Sequence, residues 1–235
     1  MAIDGFPLLT EVGGQGAVGT DGRKMDPGGY WSRAQYQQVA TYAEARFVTL
    51  IPEVDSPGHT NAIIVSESTD TENPLLSGDP SRINCSIYRP AMWDYSTAVG
   101  RSALCPESDD TWTLMTAIID QLAADTPGPY LNIGGDEVPD NVLSPERYAA
   151  FVQRAAQLVA DAGKTPMGWA EIAHAGSLPE GTVAQYWQPT SGSDGRAESG
   201  RSAAEQGMKI VMSPANRAYL DQIYAPGEPD DSGLS

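Results

Sequence analysis

The sequence predicts a parallel α/β fold of the (β/α)8 TIM-barrel type, and three observations carry that expectation. Short apolar segments alternate with amphipathic helical ones, the pattern of parallel strands joined by right-handed crossovers. Side chains able to do chemistry recur at or just past the ends of the apolar segments: Glu53, Asp55, Asp136, Glu137, Trp169, Glu171 and Trp187. That is where parallel barrels carry their sites. No Gly-x-Gly-x-x-Gly turn opens a helix, so a dinucleotide site in an open doubly wound sheet is unsupported.

The stretch Tyr130-Leu131-Asn132-Ile133-Gly134-Gly135-Asp136-Glu137-Val138-Pro139 organises the rest. It reads as a brief buried strand, bounded by Pro129 and Pro139, that bends through two glycines into adjacent carboxylates. A bare Asp-Glu pair is usually a solvated turn. Here the glycines, and a second acidic strand end at Pro52-Glu53-Val54-Asp55-Ser56-Pro57-Gly58-His59, argue for a site.

In chain order, residues 1–30 are Gly-rich without periodicity and read as a surface loop. Ser32 caps a helix over 33–46, with Tyr36, Val39, Ala40 and Ala43 on its apolar face. Phe47-Val48-Thr49-Leu50-Ile51 reads as a strand buried on both faces. Residues 56–108 read as one long irregular excursion holding both cysteines. A helix over 110–124 turns Trp112, Met115, Ile118, Ile119 and Leu122 inward. Ser144-Pro145 opens another, closed at Gly163, with Tyr148, Phe151, Val152, Ala155, Leu158 and Val159 on its face. Strands at 165–169, 182–187 and 209–212 follow, with a short helix near 201–206. Residues 225–235 read as a flexible tail.

The chain has 235 residues, 40% of them hydrophobic, enough for one domain with a real core. No apolar run is long enough to span a bilayer. Met1-Ala2-Ile3-Asp4 lacks the basic and apolar regions of a signal peptide, so the expectation is that any such segment is cleaved or lies outside this chain. A net charge of −17 argues against nucleic acid and anionic membranes as partners. Cys85 and Cys105 are the two cysteines. A disulfide in an oxidising compartment is the preferred reading, and two unrelated free thiols stay open on count alone.

These residues resemble a known family. Ile51-Pro52-Glu53-Val54-Asp55-Ser56-Pro57-Gly58-His59 followed by Ile133-Gly134-Gly135-Asp136-Glu137 is similar to the catalytic domain of glycoside hydrolase family 20, the β-N-acetylhexosaminidases. Phe6-Pro7-Leu8-Leu9-Thr10, Gly168-Trp169, Gln185-Tyr186-Trp187 and Tyr219-Leu220-Asp221 add matching pieces. The resemblance implies a retaining enzyme in which the substrate's own 2-acetamido carbonyl attacks the anomeric carbon. Glu137 would be the general acid and then the base, and would need partial burial or a nearby negative charge to hold its proton. Asp136 would stay ionised and hold the acetamido N–H. Tyr219 would donate to the acetamido oxygen, and His59 would stand behind Glu137. Trp169 and Trp187 would wall the pocket, and Asp221 would bind a sugar hydroxyl. A Cys85–Cys105 loop matches one carried by some bacterial members, which favours the disulfide and a secreted protein.

The implied substrates are oligosaccharides ending in N-acetylglucosamine or N-acetylgalactosamine, with no metal or organic cofactor. The chain departs from the family in two ways. Asn132 stands where members usually carry His, which predicts a tuned rather than abolished site. The family's first two strands and its last are missing, so the barrel is expected to be incomplete, about strands 3 to 7. The domain is then a partial catalytic barrel over 1–224, needing further segments or a second chain to close it. Two other readings stand beside the glycosidase. One is a carbohydrate-binding fragment without turnover. The other, weaker with only two histidines, is a metal-dependent hydrolase using Glu53, Asp55, His59 and Asp136. Glu53 and Asp55 otherwise read as loop-holding acceptors of backbone N–H groups, and His174 as structural.

Overall fold

A computed structural model describes residues 1–15, 27–69, 83–85, 100–189 and 198–220. Its sheet has five strands in the order β1-β2-β3-β4-β5: β1 Glu53–Ser56, β2 Tyr130–Gly134, β3 Thr165–Trp169, β4 Val183–Tyr186 and β5 Lys209–Met212. Every neighbouring pair is parallel. Sequential parallel order without reversal is how barrel strands follow one another; a doubly wound sheet reverses partway. The described strands therefore form a barrel segment.

Helices α1 Leu8–Glu11, α2 Arg33–Glu44, α3 Asn61–Thr69, α4 Asp109–Asp125, α5 Pro145–Asp161, α6 Glu198–Glu205 and α7 Ala215–Ala218 surround it, with a 3₁₀ helix over Ala170–Ala175. Their starts follow the capping chemistry legible in the sequence. Ser32 and Gln35 form a reciprocal capping box, and Ser144 accepts from Arg147 N–H ahead of Pro145. The main core lies between α4, α5 and the sheet. Trp112, Met115, Ile119, Phe151 and Val159 pack there with Leu131 and Ile133 of β2. The faces predicted for α4 and α5 are the buried ones.

Three expectations fail. Phe47-Val48-Thr49-Leu50-Ile51 is not a strand: Phe47 is fully exposed in left-handed backbone at φ 58°. Val48 is 58% exposed. The strand starts six residues later, at Glu53. Pro52 has no N–H, and its carbonyl takes the first bond from Asn132 N–H at 2.8 Å. Among the described residues β1 has a neighbour on one side only, and Phe47, Val48 and Ile51 stay exposed. Second, the opening segment is not merely surface loop, because Ile3 and Phe6 are buried and α1 forms within it. Third, the 56–108 excursion contains α3, whose Ile64 and Val65 are buried. Its run of β-branched residues masks it, since these are weak helix formers that tertiary burial overrides.

Among the described residues the other edge is open in the same way: Val211 and Met212 of β5 are 41% and 62% exposed. Cys85 and Cys105 are joined by a disulfide, next to a bridge between Asn84 and Leu104. This arm props the turn after β1. Leu104 N–H donates to the Pro57 carbonyl at 2.9 Å, and Thr60 N–H to Ser102 Oγ at 3.0 Å. Asp221 and the 225–235 tail lie outside the described residues. No described helix is long and apolar enough to cross a membrane.

Candidate active site

Strand register decides which side chains meet. Glu53 pairs with Asn132, Asn132 with Met167, and Trp169 with Gln185. Side chains alternate along a strand, so Glu53, Asp55, Asn132, Trp169 and Gln185 share one face. Val54, Leu131 and Ile133 take the other face and join the helical core. Asp136, Glu137, Glu171 and Trp187 follow just past the C-terminal strand ends. The polar face and this rim form the candidate site.

The acidic turn is built by glycine. Gly134 and Gly135 have φ of 78° and 100°, backbone that favours glycine. A Cβ on Gly135 would come within 2.6 Å of Ile172 Cγ2. Asn132 is buried, and its Oδ1 accepts the Gly134 N–H at 2.8 Å. Here Asn132 fastens the turn, work its amide can do without charge. Tyr148 O–H donates to the Gly135 carbonyl at 2.6 Å, a role its place on a helical apolar stripe concealed. Glu137 itself sits at φ 53°, as does His59 at φ 54°. Left-handed non-glycine residues are uncommon and concentrate at functional sites.

His59 comes to both acids. Its Nε2 lies 3.5 Å from Asp136 Oδ2 and 3.3 Å from Glu137 Oε2. Hydrogen bonds to Asp136 and then Glu137 push the imidazole up to about 10. Its side chain is 35% exposed, so the pairing orients more than it stabilises. Asp55 is pushed up to about 8, first by burial and then by the negative field of Asp136. The polar atoms of Asp55, His59 and Asp136 lie within 4.8 Å of one another, a cluster close enough to share protons.

Both tryptophans are tethered. Trp169 Nε1–H donates to Glu53 Oε1 at 3.3 Å. Trp187 Nε1–H reaches Glu171 Oε1 at 3.0 Å and Oε2 at 3.2 Å, joined by Gln188 Nε2 at 3.5 Å. Burial raises both carboxyls above their ordinary range. Glu53 therefore holds an indole, not the backbone N–H expected of it, and Asp55 turns toward Asp136. An acid past one strand end and an indole past the next signal the Glu171–Trp187 tether, whereas Glu53 and Trp169 lie on β1 and β3 with β2 between them. Tyr219 is half-buried at the end of α7, whose Ala215 N–H donates to the Trp187 carbonyl at 2.7 Å. His174 is exposed and bonds Ser199 Oγ at 3.0 Å.

The cluster makes stability depend on pH. Asp55 and His59 hold protons more tightly folded than unfolded. Their contribution is complete below the unfolded values and lost as pH rises, from 3.8 to about 8 for Asp55 and from 6.5 to about 10 for His59. The melting temperature is therefore expected to fall by several degrees between about pH 5 and pH 9. Asp55→Asn should flatten the lower part of that slope, and an unchanged slope in the variant would contradict the assignment.

Known proteins are similar to this chain. The glycosyl hydrolase family 20 catalytic domain matches residues 1–233. A β-N-acetylhexosaminidase of Cellulomonas fimi is 36% identical over 221 residues, covering 93% of this chain and 39% of its own length. A β-hexosaminidase of Porphyromonas gingivalis is 30% identical, covering 97% of this chain and 28% of its own. Among solved structures, the Streptomyces plicatus N-acetyl-β-hexosaminidase in complex with thio-NAglucal superposes with a TM-score of 0.79 at 36% identity, covering 97% of this chain and 41% of that one. The chain thus spans about two fifths or less of these relatives. A family match over nearly every residue, together with a barrel segment bearing the paired acids, means that this chain belongs to glycoside hydrolase family 20.

Proposed function

We propose that the chain carries the central part of a retaining β-N-acetylhexosaminidase, which removes terminal β-linked N-acetylhexosamine from oligosaccharides. The observation that carries this is the meeting of His59, from the turn after β1, with Asp136 and Glu137 on the turn after β2, near two tethered indoles. Two carboxylates adjacent in sequence do not flank one glycosidic bond from opposite sides, so neither suits the role of nucleophile facing an acid across the sugar. The substrate's acetamido oxygen fills that role. It forms a bond to the anomeric carbon while the glycosidic bond breaks and Glu137 gives its proton to the departing oxygen. Water activated by Glu137 then opens the oxazolinium ion. Asp136 accepts the acetamido N–H and faces the developing positive charge. His59, cationic through neutral pH, offsets the two acids.

Trp169 and Trp187 offer flat apolar walls for the N-acetyl methyl and the sugar face. Tyr219 donates to the acetamido oxygen, and Asp221 takes a sugar hydroxyl. The disulfide supports a secreted protein. The test is proton NMR of the first product from an aryl N-acetyl-β-glucosaminide, beside the matching aryl β-glucoside. Retention at the anomeric carbon and at least about 100-fold slower cleavage of the glucoside are expected, since the tethered acetamido group supplies the effective molarity. Inversion, or equal rates, would overturn the mechanism.

The tether makes a separate prediction. Glu171→Ala frees the Trp187 indole and should raise KM by about tenfold, near the worth of a hydrogen bond to a charged group, with kcat changed less. Glu171→Gln keeps an acceptor and should recover most of the loss. Steady-state kinetics on the three proteins checks this, and an unchanged KM in Glu171→Ala would remove the tether from substrate binding.

A further inference from the structure

Two buried acceptors belong to one cluster at the acidic turn. Asp55 Oδ1 and Asp136 Oδ1 are both buried, and neither receives a hydrogen bond among the described residues. Carboxylate oxygens of the two residues and the His59 ring nitrogen lie within 4.8 Å of one another. Space between the strands is tight: a Cβ on Gly134 would overlap Asp55 Oδ1. Two ionised carboxylates so placed repel strongly away from water. A single proton between them turns repulsion into a charge-assisted O–H···O⁻ bond and satisfies both oxygens.

The surroundings say which acid holds it. Asp136 has the His59 ring nitrogen 3.5 Å from its other oxygen, a partner suited to a carboxylate. Asp55 feels the negative charge of Asp136 and of Glu53 on its own strand, lies near enough to act on the buried Tyr148 phenol of α5, and has His59 as a cation acting on it. Glu171 adds negative charge beside Asp136, and Glu137 beside His59. We propose that Asp55 is kept as the neutral carboxylic acid and donates a hydrogen bond to Asp136, which makes it the positioning residue for the carboxylate that orients the acetamido group. The positioning role rests on the glycosidase reading; the shared proton does not. The lift of Asp55 to about 8 means the proton is held through neutral pH. Above that, Asp55 ionises, and Asp136 loses a donor and gains a repelling neighbour.

The first measurement needs no substrate. In the intact chain labelled with 13C at aspartate Cγ, the Asp55 carboxyl should titrate with a midpoint near about 8, and Asp136→Asn should lower that midpoint. An Asp55 midpoint near 4, the ordinary aspartate value, would overturn the proposal whether or not the chain turns over sugar. The second measurement is kinetic. Asp55→Asn keeps a neutral donor, so it should lose no more than about tenfold in kcat, while Asp55→Ala should lose about 100-fold or more, as for removal of one preorganised donor. The parent's rate should fall as pH passes about 8, and Asp55→Asn should lack that fall. Equal losses in both variants, or a fall that persists in Asp55→Asn, would also overturn it. Absence of turnover in the parent would count against the glycosidase reading alone, leaving the titration to decide the shared proton.

Discussion

Replacing Glu137 by Gln is expected to divide substrates by leaving group. An oligosaccharide leaving as a poor alkoxide needs the proton that Glu137 gives, so kcat/KM on it should fall by about 10²–10⁴-fold, the usual worth of general acid catalysis. A 4-nitrophenyl leaving group departs without that help, so the bond-breaking step should slow far less. Gln fills the same volume and still accepts from His59, whose Nε2 lies 3.3 Å from the parent carboxylate, so folding should be preserved. The left-handed backbone at residue 137 is unaltered by an isosteric change. Rates compared across a series of phenols of rising acidity read this directly. A variant with the parent's leaving-group dependence would remove Glu137 from the acid role.

Asp136→Asn should cost turnover more than binding. The parent carboxylate is nearly buried, with 15% of its side chain exposed, and lies 3.5 Å from His59 Nε2. Its negative charge matters most when the oxazolinium charge develops, a feature of the transition state rather than of bound substrate. Loss of about 10²–10³-fold in kcat with a small change in KM is the expected pattern. An unchanged kcat would contradict the electrostatic role. A large rise in KM at constant kcat would make Asp136 a simple binding group.

Much of this site was legible in the sequence because it is local. Asp136 and Glu137 are adjacent, the glycines before them announce the bend, and alternation within a strand puts Glu53 and Asp55 on one face. The helical faces of α4 and α5 were legible for the same reason, since their apolar periodicity is a property of a single element. What was hidden depends on partners far along the chain. The Tyr148 bond to Gly135 spans α5 and the β2 turn, and the Trp187 bond to Glu171 spans two strand ends. Phe47-Val48-Thr49-Leu50-Ile51 misled because apolarity signals burial only when something covers it. The place of Asp55 was hidden because backbone acceptance is the usual fate of a buried loop acid, and only the fold brings the Asp136 carboxyl near it.

The turn bearing Asp136 and Glu137 is proposed to perform glycoside hydrolysis. Hydrolysis of 4-nitrophenyl N-acetyl-β-glucosaminide by this 235-residue chain, beside Glu137→Gln and Asp136→Asn, tests it most directly. Release of 4-nitrophenol by the parent is expected, with reduced turnover in Glu137→Gln and a loss in kcat in Asp136→Asn. A parent shown to be folded by circular dichroism that binds N-acetylglucosamine without releasing phenol would contradict it.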